Sequence, residues 1–310
     1  MEAVIPEFIV ILVILLIGVV LGKTGFFQDG VMDGINHLAM NLTFPALILA
    51  SMDKEFTLTL LHNSLFLMLL SGLCFAAVIV WLELWRKRSK GDVDRLNLYQ
   101  FLVLVGNTAF IGFPIVQAVY GDTGLFYASV FNIAHNFILF SYACNLFLRG
   151  KGKQRIPLKK VFLNPGFLAT VAGFVVFLLP CTLPYVVHRT AQWLGDMTIP
   201  LCLLVVGARL GKSRLSEIIK PPAIWFTSLA RLVLFPGLMI PIFYLCGLRG
   251  ELAVIPVIIF ATPTALLSGT FAQAYHNDGL TGSKAVILSN LLSMVTLPLV
   301  VFVCLRMFSG

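Results

Sequence analysis

Apolar stretches of about 20 residues recur along almost the whole chain, separated by short charged or turn-rich links. A helix of that length crosses the hydrocarbon core of a bilayer, and a soluble domain has no use for so many of them. Hydrophobic residues make up 59% of the 310 residues and charged residues only 12%, too few to coat a soluble protein. The sequence therefore predicts an all-α integral membrane protein with many spans.

The links delimit ten candidate membrane spans. They cover residues 4–22, 31–51, 62–85, 97–119, 124–148, 164–186, 190–209, 221–247, 251–275 and 281–307. The first span follows Met-Glu-Ala instead of a basic segment, so we expect a retained helix and not a cleaved signal peptide. No link is long enough to hold a separate soluble domain.

Lys and Arg concentrate in alternate links, which predicts the orientation of the spans. The links after the third, fifth and seventh spans carry most of the 22 basic residues. Because short basic loops stay in the cytoplasm, ten alternating spans place both termini outside the cell membrane, here a bacterial inner or plasma membrane. Topology thus accounts for the net charge of +8, and we expect no nucleic acid partner.

The chain is similar to itself when it is shifted by 155 residues. The shift pairs Gly18 with Gly173 and Thr43 with Thr198, and it lays "NLTFPALIL" over "DMTIPLCLL". A repeat of five spans has an odd number, so the second copy enters the membrane from the opposite side. Such inverted repeats are typical of secondary transporters.

The repeat predicts the organisation of the chain into domains. We expect a first five-helix repeat at 1–148, a basic cytoplasmic linker at 149–163 and a second, inverted repeat at 164–310.

Helix breakers stand beside hydrogen-bonding side chains in the fourth span and again in the ninth, at "GNTAFIGFP" (106–114) and "ATPTALLSGT" (261–270). Proline removes a backbone N–H group and glycine permits irregular dihedral angles. Both spans are therefore expected to be discontinuous and to cross near the midplane, where transporters of this construction bind solutes. The residues expected at the crossing are Gly106, Gly112, Pro114, Pro263 and Ser268.

A crossing of broken helices would present opposed half-helix N-termini, whose partial positive charge attracts a carboxylate. A small organic anion is therefore the expected substrate. The candidate binding residues are Asn107, Thr108, Thr262, Pro263, Thr264, Asn132, Asn136 and Arg231. The alternative is that Pro and Gly only kink ordinary spans, with Asn and Thr bonded to neighbouring helices.

Three further polar residues inside spans have alternative interpretations. Arg231 either attracts an anionic substrate or is structural, paired with Asp196 or extended toward the interface. His135 lies on one helix face with Asn132 and Asn136, and either moves a proton or bonds a neighbouring helix. Asp196 either binds a coupling ion or caps a helix N-terminus.

The quoted segments, together with "ILSNLLSMVTLPL" near the C-terminus, resemble the auxin efflux carrier family over nearly the whole chain. That family includes plant PIN-type auxin exporters and bacterial transporters of malonate and similar acids. The resemblance implies ten helices in two inverted repeats, with crossed fourth and ninth helices at the binding site and elevator-like movement. It also implies that Asn107 contacts the substrate carboxylate. The plant exporters have a proline directly before that Asn, whereas this chain has Gly106.

Competing function classes lack their expected residues. The chain contains no HExxH or GxSxG motif, which disfavours an intramembrane hydrolase. Its six cysteines lie singly without ligand spacing, so we expect neither a metal nor another cofactor. A sodium/proton antiporter would need carboxylates at the crossing, and there are none in those segments. A bile-acid-type symporter coupled to sodium or protons, a channel and a membrane sensor stay open, as does a homodimer.

Overall fold

The computed structural model describes residues 4–149, 163–179, 182–213, 222–266, 268–275 and 277–308. All regular elements in these ranges are helical, and seven helical segments among them are long and apolar enough to cross a membrane. Residues Pro165–Leu178 and Gly250–Phe260 form shorter apolar helices. The expected all-α membrane class is thereby confirmed. Most of the expected basic linker at 149–163, and Cys181, lie outside the described residues.

The helices follow one another along the chain without an intervening strand in the described ranges. They are α1 (Val4–Lys23), α2 (Asp29–Leu38), α3 (Phe44–Met52), α4 (Leu58–Arg88), α5 (Val93–Leu104), α6 (Phe113–Ile138), α7 (Cys144–Leu146), α8 (Pro165–Leu178), α9 (Tyr185–Asp196), α10 (Thr198–Lys212), α11 (Pro222–Leu229), α12 (Phe235–Leu245), α13 (Gly250–Phe260), α14 (Ser268–Ala274) and α15 (Gly279–Phe308). Short π-helical segments join several of them, at Ala39–Thr43, Thr108–Gly112, Leu139–Ala143 and Ala230–Leu234.

Polar residues in the links determine where several helices begin. The Asp92 carboxylate accepts the Arg95 N–H at 3.2 Å and so caps α5. At α15, the Asp278 carboxylate accepts both the backbone N–H and the hydroxyl of Thr281. Partial burial alone would raise the pKa of Asp278, but these hydrogen bonds outweigh it and lower that pKa.

The chain leaves the helical conformation inside both stretches for which breaks are expected. α5 ends at Leu104 and the next helical segment begins at Thr108, while α13 ends at Phe260 and α14 begins at Ser268. A further break lies within α6 at Gly121, where φ is +60° and ψ is −151°. Only glycine adopts such angles without strain, so this residue lets the chain turn between the expected fourth and fifth spans.

The described chain divides into two compact units, and each draws on both halves of the sequence. The first unit comprises residues 1–67, 109–133 and 162–213, and the second comprises 68–108, 134–161 and 214–310. α4 and α6 each pass from one unit into the other along the chain. Each unit is a compact group of residues from several parts of the chain, so the two units do not coincide with the two expected sequence repeats. The repeats stay a prediction.

Close packing of α1 on α10 characterises the first unit. A methyl group on Gly18 would lie 2.6 Å from the Leu204 carbonyl oxygen, and one on Gly22 would collide with the Ala208 carbonyl. Glycines allow helix backbones to approach this closely, which is how helices associate in membranes. The sequence signal is a G-x-x-x-G spacing in α1, "GVVLG", and in α10, "GARLG", which the sequence analysis missed.

Residues 155 positions apart occupy related places in the first unit. Thr198 donates its hydroxyl hydrogen to the hydroxyl oxygen of Thr43 at 2.9 Å, and both side chains are buried. Gly18 of α1 packs against Gly207, and Gly173 of α8 packs against Met52, which is the position related to Gly207 by the same shift.

Substitution of Gly22 by Ala tests the α1–α10 packing. We expect Gly22→Ala to lower the unfolding temperature of the purified protein in detergent, since overpacking costs about 1–3 kcal/mol and exceeds the helix propensity gained, about 0.5–1 kcal/mol. Gly34→Ala is the control, because its methyl group would meet no atom within 4 Å. Equal effects of both substitutions would contradict the packing argument.

Candidate functional site

The two breaks pair with each other through their backbones within the second unit. The Asn107 N–H donates to the Pro263 carbonyl at 2.7 Å, and the Ala265 N–H donates to the Val105 carbonyl at 3.0 Å. Gly106 lies opposite Thr264 in this antiparallel pairing. Each extended segment therefore satisfies backbone groups that the other leaves without a helical partner, as a membrane interior requires.

The second break also caps the C-terminus of α5. The last carbonyl groups of a helix have no donor within the helix. Here the Thr264 hydroxyl donates to the Leu102 carbonyl at 2.9 Å, and the Arg231 guanidinium donates through Nη1 to the Val103 carbonyl at 2.6 Å. The end of α5 is thus held by side chains from two other segments of the same unit.

A corresponding set of bonds closes the C-terminus of α13. The Thr262 hydroxyl donates to the Ile259 carbonyl at 2.7 Å, and the Arg231 Nε–H donates to the Thr262 carbonyl at 2.6 Å. The Thr264 N–H donates to the Ser289 hydroxyl of α15 at 3.2 Å. The Leu102 and Val103 carbonyls of α5 and the Ile259 carbonyl of α13 therefore each have a donor from outside the regular helix.

Arg231 lies in the π-helical segment Ala230–Leu234 and is only 2% exposed. Its Nη2 group also donates to the Thr262 hydroxyl oxygen, at 3.2 Å. Its described hydrogen bonds thus go to the last turn of α5 and to Thr262 in the second break, and none of the described ion pairs includes it. A charge inside a membrane span costs at least about 2.5–3.5 kcal/mol, and the negative ends of two helix dipoles offset that cost. The pairing with Asp196 is not among the described ion pairs, and the attraction of an anionic substrate by Arg231 stays a prediction.

Asn107 combines burial with an unused donor. The residue is 3% exposed, and its side-chain Nδ2 group has no hydrogen-bond partner among the described residues. It directly precedes Thr108, where the chain becomes helical again, and Thr108 is also buried. A buried amide donor at a helix N-terminus favours a negatively charged ligand.

The other residues expected at the crossing lie around it and not all in it. Val105–Asn107 and Pro263 are part of the pairing. Gly112 and Pro114 belong to the helical segment that follows, so the first break lies N-terminal to both. Ser268 begins α14, is buried, and has a hydroxyl without a partner among the described residues.

The polar residues of α6 differ in exposure. Asn132 and His135 are buried, whereas Asn136 is half-buried. Neither ring nitrogen of His135 has a hydrogen-bond partner in the described part of the chain, and its ring lies 5.4 Å from that of Phe75. His135 is therefore in the interior of the second unit, in a setting where its bonding capacity is unused.

Asp196 does not cap a helix N-terminus. It is exposed and is the last residue of α9, while α10 starts without a side-chain cap. That expectation is wrong because the break lies one residue further along the chain, at Met197. Among the described residues, no group of His, Cys, Asp and Glu could hold a metal ion.

Polar residues of α5 were overlooked in the sequence. Asn97 and Gln100 are fully buried, and the polar atoms of both amides lack partners in the described ranges. Their signal was the polar pair in "NLYQ" at the start of an apolar span. Ser289, which accepts the Thr264 N–H, lies in the motif "ILSN" that contributed to the family resemblance.

Comparison with known proteins relates nearly the whole chain to transporters. A family model described as "Membrane transport protein" matches residues 3–301. An uncharacterized transporter of Methanocaldococcus jannaschii is 19% identical over 299 residues, covering 94% of this chain and 96% of that protein. An uncharacterized transporter of Methanothermobacter thermautotrophicus is 24% identical over 294 residues, covering 93% and 94%. Members of the matched family are not enzymes in general.

Replacement of Thr264 by Val tests the capping of α5. We expect Thr264→Val to lower stability by about 1–3 kcal/mol, since it leaves the buried Leu102 carbonyl without its donor. Thr227→Val is the control, because the Thr227 hydroxyl is equally buried but bonds the Ile224 carbonyl within its own helix. Thermal unfolding in detergent would measure both, and an equal loss in the two variants would contradict the capping role.

Proposed function

The chain belongs to the membrane transport protein family, which confirms the auxin efflux carrier-like relationship indicated by its motifs, and from that premise we propose a secondary carrier of small organic anions. The observation that carries this proposal is the paired breaks, with the unused Asn107 amide at the point where helix resumes. A broken helix is the usual way in which such transporters expose backbone and side-chain groups to a solute.

The charges around the pairing favour an anion over a cation. Val105–Thr108 and Ala261–Leu266 contain no carboxylate that could hold a cation. The donors available there are the Asn107 amide and the N–H groups at the helix start near Thr108, which carry partial positive charge. A mono- or dicarboxylate, in the range from auxin-like acids to malonate and malate, is the proposed substrate class.

The proposed architecture is ten membrane helices in two inverted five-helix repeats, with both termini outside. The hydrogen bond between Thr43 and Thr198, 155 residues apart, supports the repeat. So does the antiparallel pairing of the two breaks. A bacterial cell membrane is part of the proposal, and the stated orientation is supported by the distribution of Lys and Arg.

The proposed mechanism is elevator-like alternating access. Its support is that the chain forms two compact units, each assembled from non-contiguous segments, and that both breaks fall in the second. In this proposal the second unit carries the anion. Export would need no coupling ion, because an anion leaving a negative-inside cell releases about 2.3 kcal/mol per charge per 100 mV.

A proton-coupled symporter of the same anions is the second candidate. The group that would carry the proton is His135, whose ring nitrogens have no described partner, although its burial opposes the charged form. Import against the membrane potential would need such coupling.

Transport into proteoliposomes tests the proposal. Purified protein would be challenged with labelled auxin, malonate and malate, and we expect saturable uptake of at least one acid. We expect Asn107→Ala to reduce kcat/KM by at least about tenfold, the equivalent of about 1.4 kcal/mol for one lost hydrogen bond to a charged group.

Asn41→Ala is the matched control, since Asn41 is exposed and its amide bonds only the His37 carbonyl of the preceding helical turn. We expect it to transport at the wild-type rate. Uptake of none of the acids would refute the substrate class, and undiminished uptake by Asn107→Ala would refute the assignment of that residue.

A further inference from the structure

We propose that Arg231 is a positioning residue, which fastens the two breaks together while a glycine at position 106 provides the space for its guanidinium. The starting observation is that all three nitrogens of its guanidinium donate hydrogen bonds. Nη1 donates to the Val103 carbonyl at the end of α5, while Nε and Nη2 donate to the carbonyl and the hydroxyl of Thr262 after α13. Because every nitrogen of the guanidinium already donates to a protein oxygen atom, its donors are used within the protein.

Gly106 is adapted to this arrangement by its small volume. A methyl group on Gly106 would collide with Nη2 of Arg231 and lie 2.6 Å from its Cζ. Among the described residues, the glycines with positive φ are Gly25, Gly121, Gly247 and Gly250, so the backbone conformation of Gly106 is not one that requires glycine. The same methyl group would lie 2.7 Å from the Thr262 hydroxyl oxygen, so glycine is needed here for the space that the Arg231 guanidinium and the Thr262 hydroxyl occupy.

The charge of Arg231 matches its location. The Val103 carbonyl belongs to the C-terminal turn of α5, and the Thr262 carbonyl follows the end of α13. Each helix end carries about half a negative charge, so two ends together offset about one positive charge. Arg231 is the only buried Lys or Arg side chain among the described residues, so no second cation of that kind competes for these carbonyls.

This geometry gives Arg231 an indirect role at the proposed binding site. Val103 and Thr262 belong to the two chain segments that are joined by the bonds from Asn107 to Pro263 and from Ala265 to Val105. Arg231 joins the same two segments from the side, and this limits their separation. It therefore fixes the position of the Asn107 amide without itself contacting the solute, an extension that rests on the proposed function.

A double-mutant cycle on stability tests the contact between Arg231 and Gly106 without any substrate. We expect Gly106→Ala to lower the unfolding temperature by several degrees in the wild-type background and by clearly less in the Arg231→Gln background, where the guanidinium is absent and only the Thr262 hydroxyl stays close to the methyl group. Gly237→Ala is the matched control, since its methyl group would meet no atom within 4 Å. Equal losses from Gly106→Ala in both backgrounds would overturn the proposal.

Transport kinetics then separate positioning from general structural support. We expect Arg231→Gln to raise KM for the transported acid by at least about tenfold. Arg231→Lys retains the charge and three donors, so we expect KM within about threefold of wild type and a lower kcat. Equal KM values for the two variants would refute the positioning role. If no acid is transported, the proposed function fails, and the stability cycle alone decides the contact.

Discussion

The interior of a membrane offers no water to backbone groups, so every interruption of a helix must be satisfied by the protein itself. Here two interruptions satisfy each other. The carbonyl of Pro263 accepts the Asn107 N–H, and the carbonyl of Val105 accepts the Ala265 N–H. Everything else at the candidate site depends on this pairing, because it brings together the C-terminal ends of α5 and α13. It leaves the side-chain Nδ2 group of Asn107 available for a ligand.

The pairing also explains why a fully buried arginine is stable inside a span. An isolated guanidinium in hydrocarbon would be costly, but the ends of two helices supply carbonyl groups and partial negative charge at one place. Arg231 and the paired breaks are therefore interdependent. Carbonyl groups at the breaks stabilise the positive charge, and the guanidinium donates hydrogen bonds to those carbonyl groups. The same bonds give a physical reason for Gly106 where the plant exporters that this chain resembles have proline.

Much of the architecture was predictable because a bilayer restricts the secondary structures that a membrane-spanning segment can adopt. The apolar stretches indicated membrane helices, and glycine and proline indicated both interruptions. The exact break was not predictable, since Gly112 and Pro114 are stronger breakers than Val105 but lie in the helix that follows. The position of the break depends on hydrogen bonds between two distant segments of the chain. The conformational preferences of one segment contain no information about such bonds. The capping alternative for Asp196 was wrong because α10 begins only after Met197, whereas binding of a coupling ion by Asp196 stays a prediction.

The sequence by itself determined an all-helical membrane protein of a transport family, with two interrupted helices and a polar residue at each interruption. Periodicity, hydropathy and helix-breaking residues are local properties, so they can be read directly from the sequence. Only the tertiary structure decided that the interruptions pair, that Arg231 bonds the end of α5 and the second interruption, and that a guanidinium lies beside Gly106. These facts depend on segments more than 100 residues apart along the chain, such as Val103 and Arg231 at a separation of 128. No local pattern encodes which distant groups will meet.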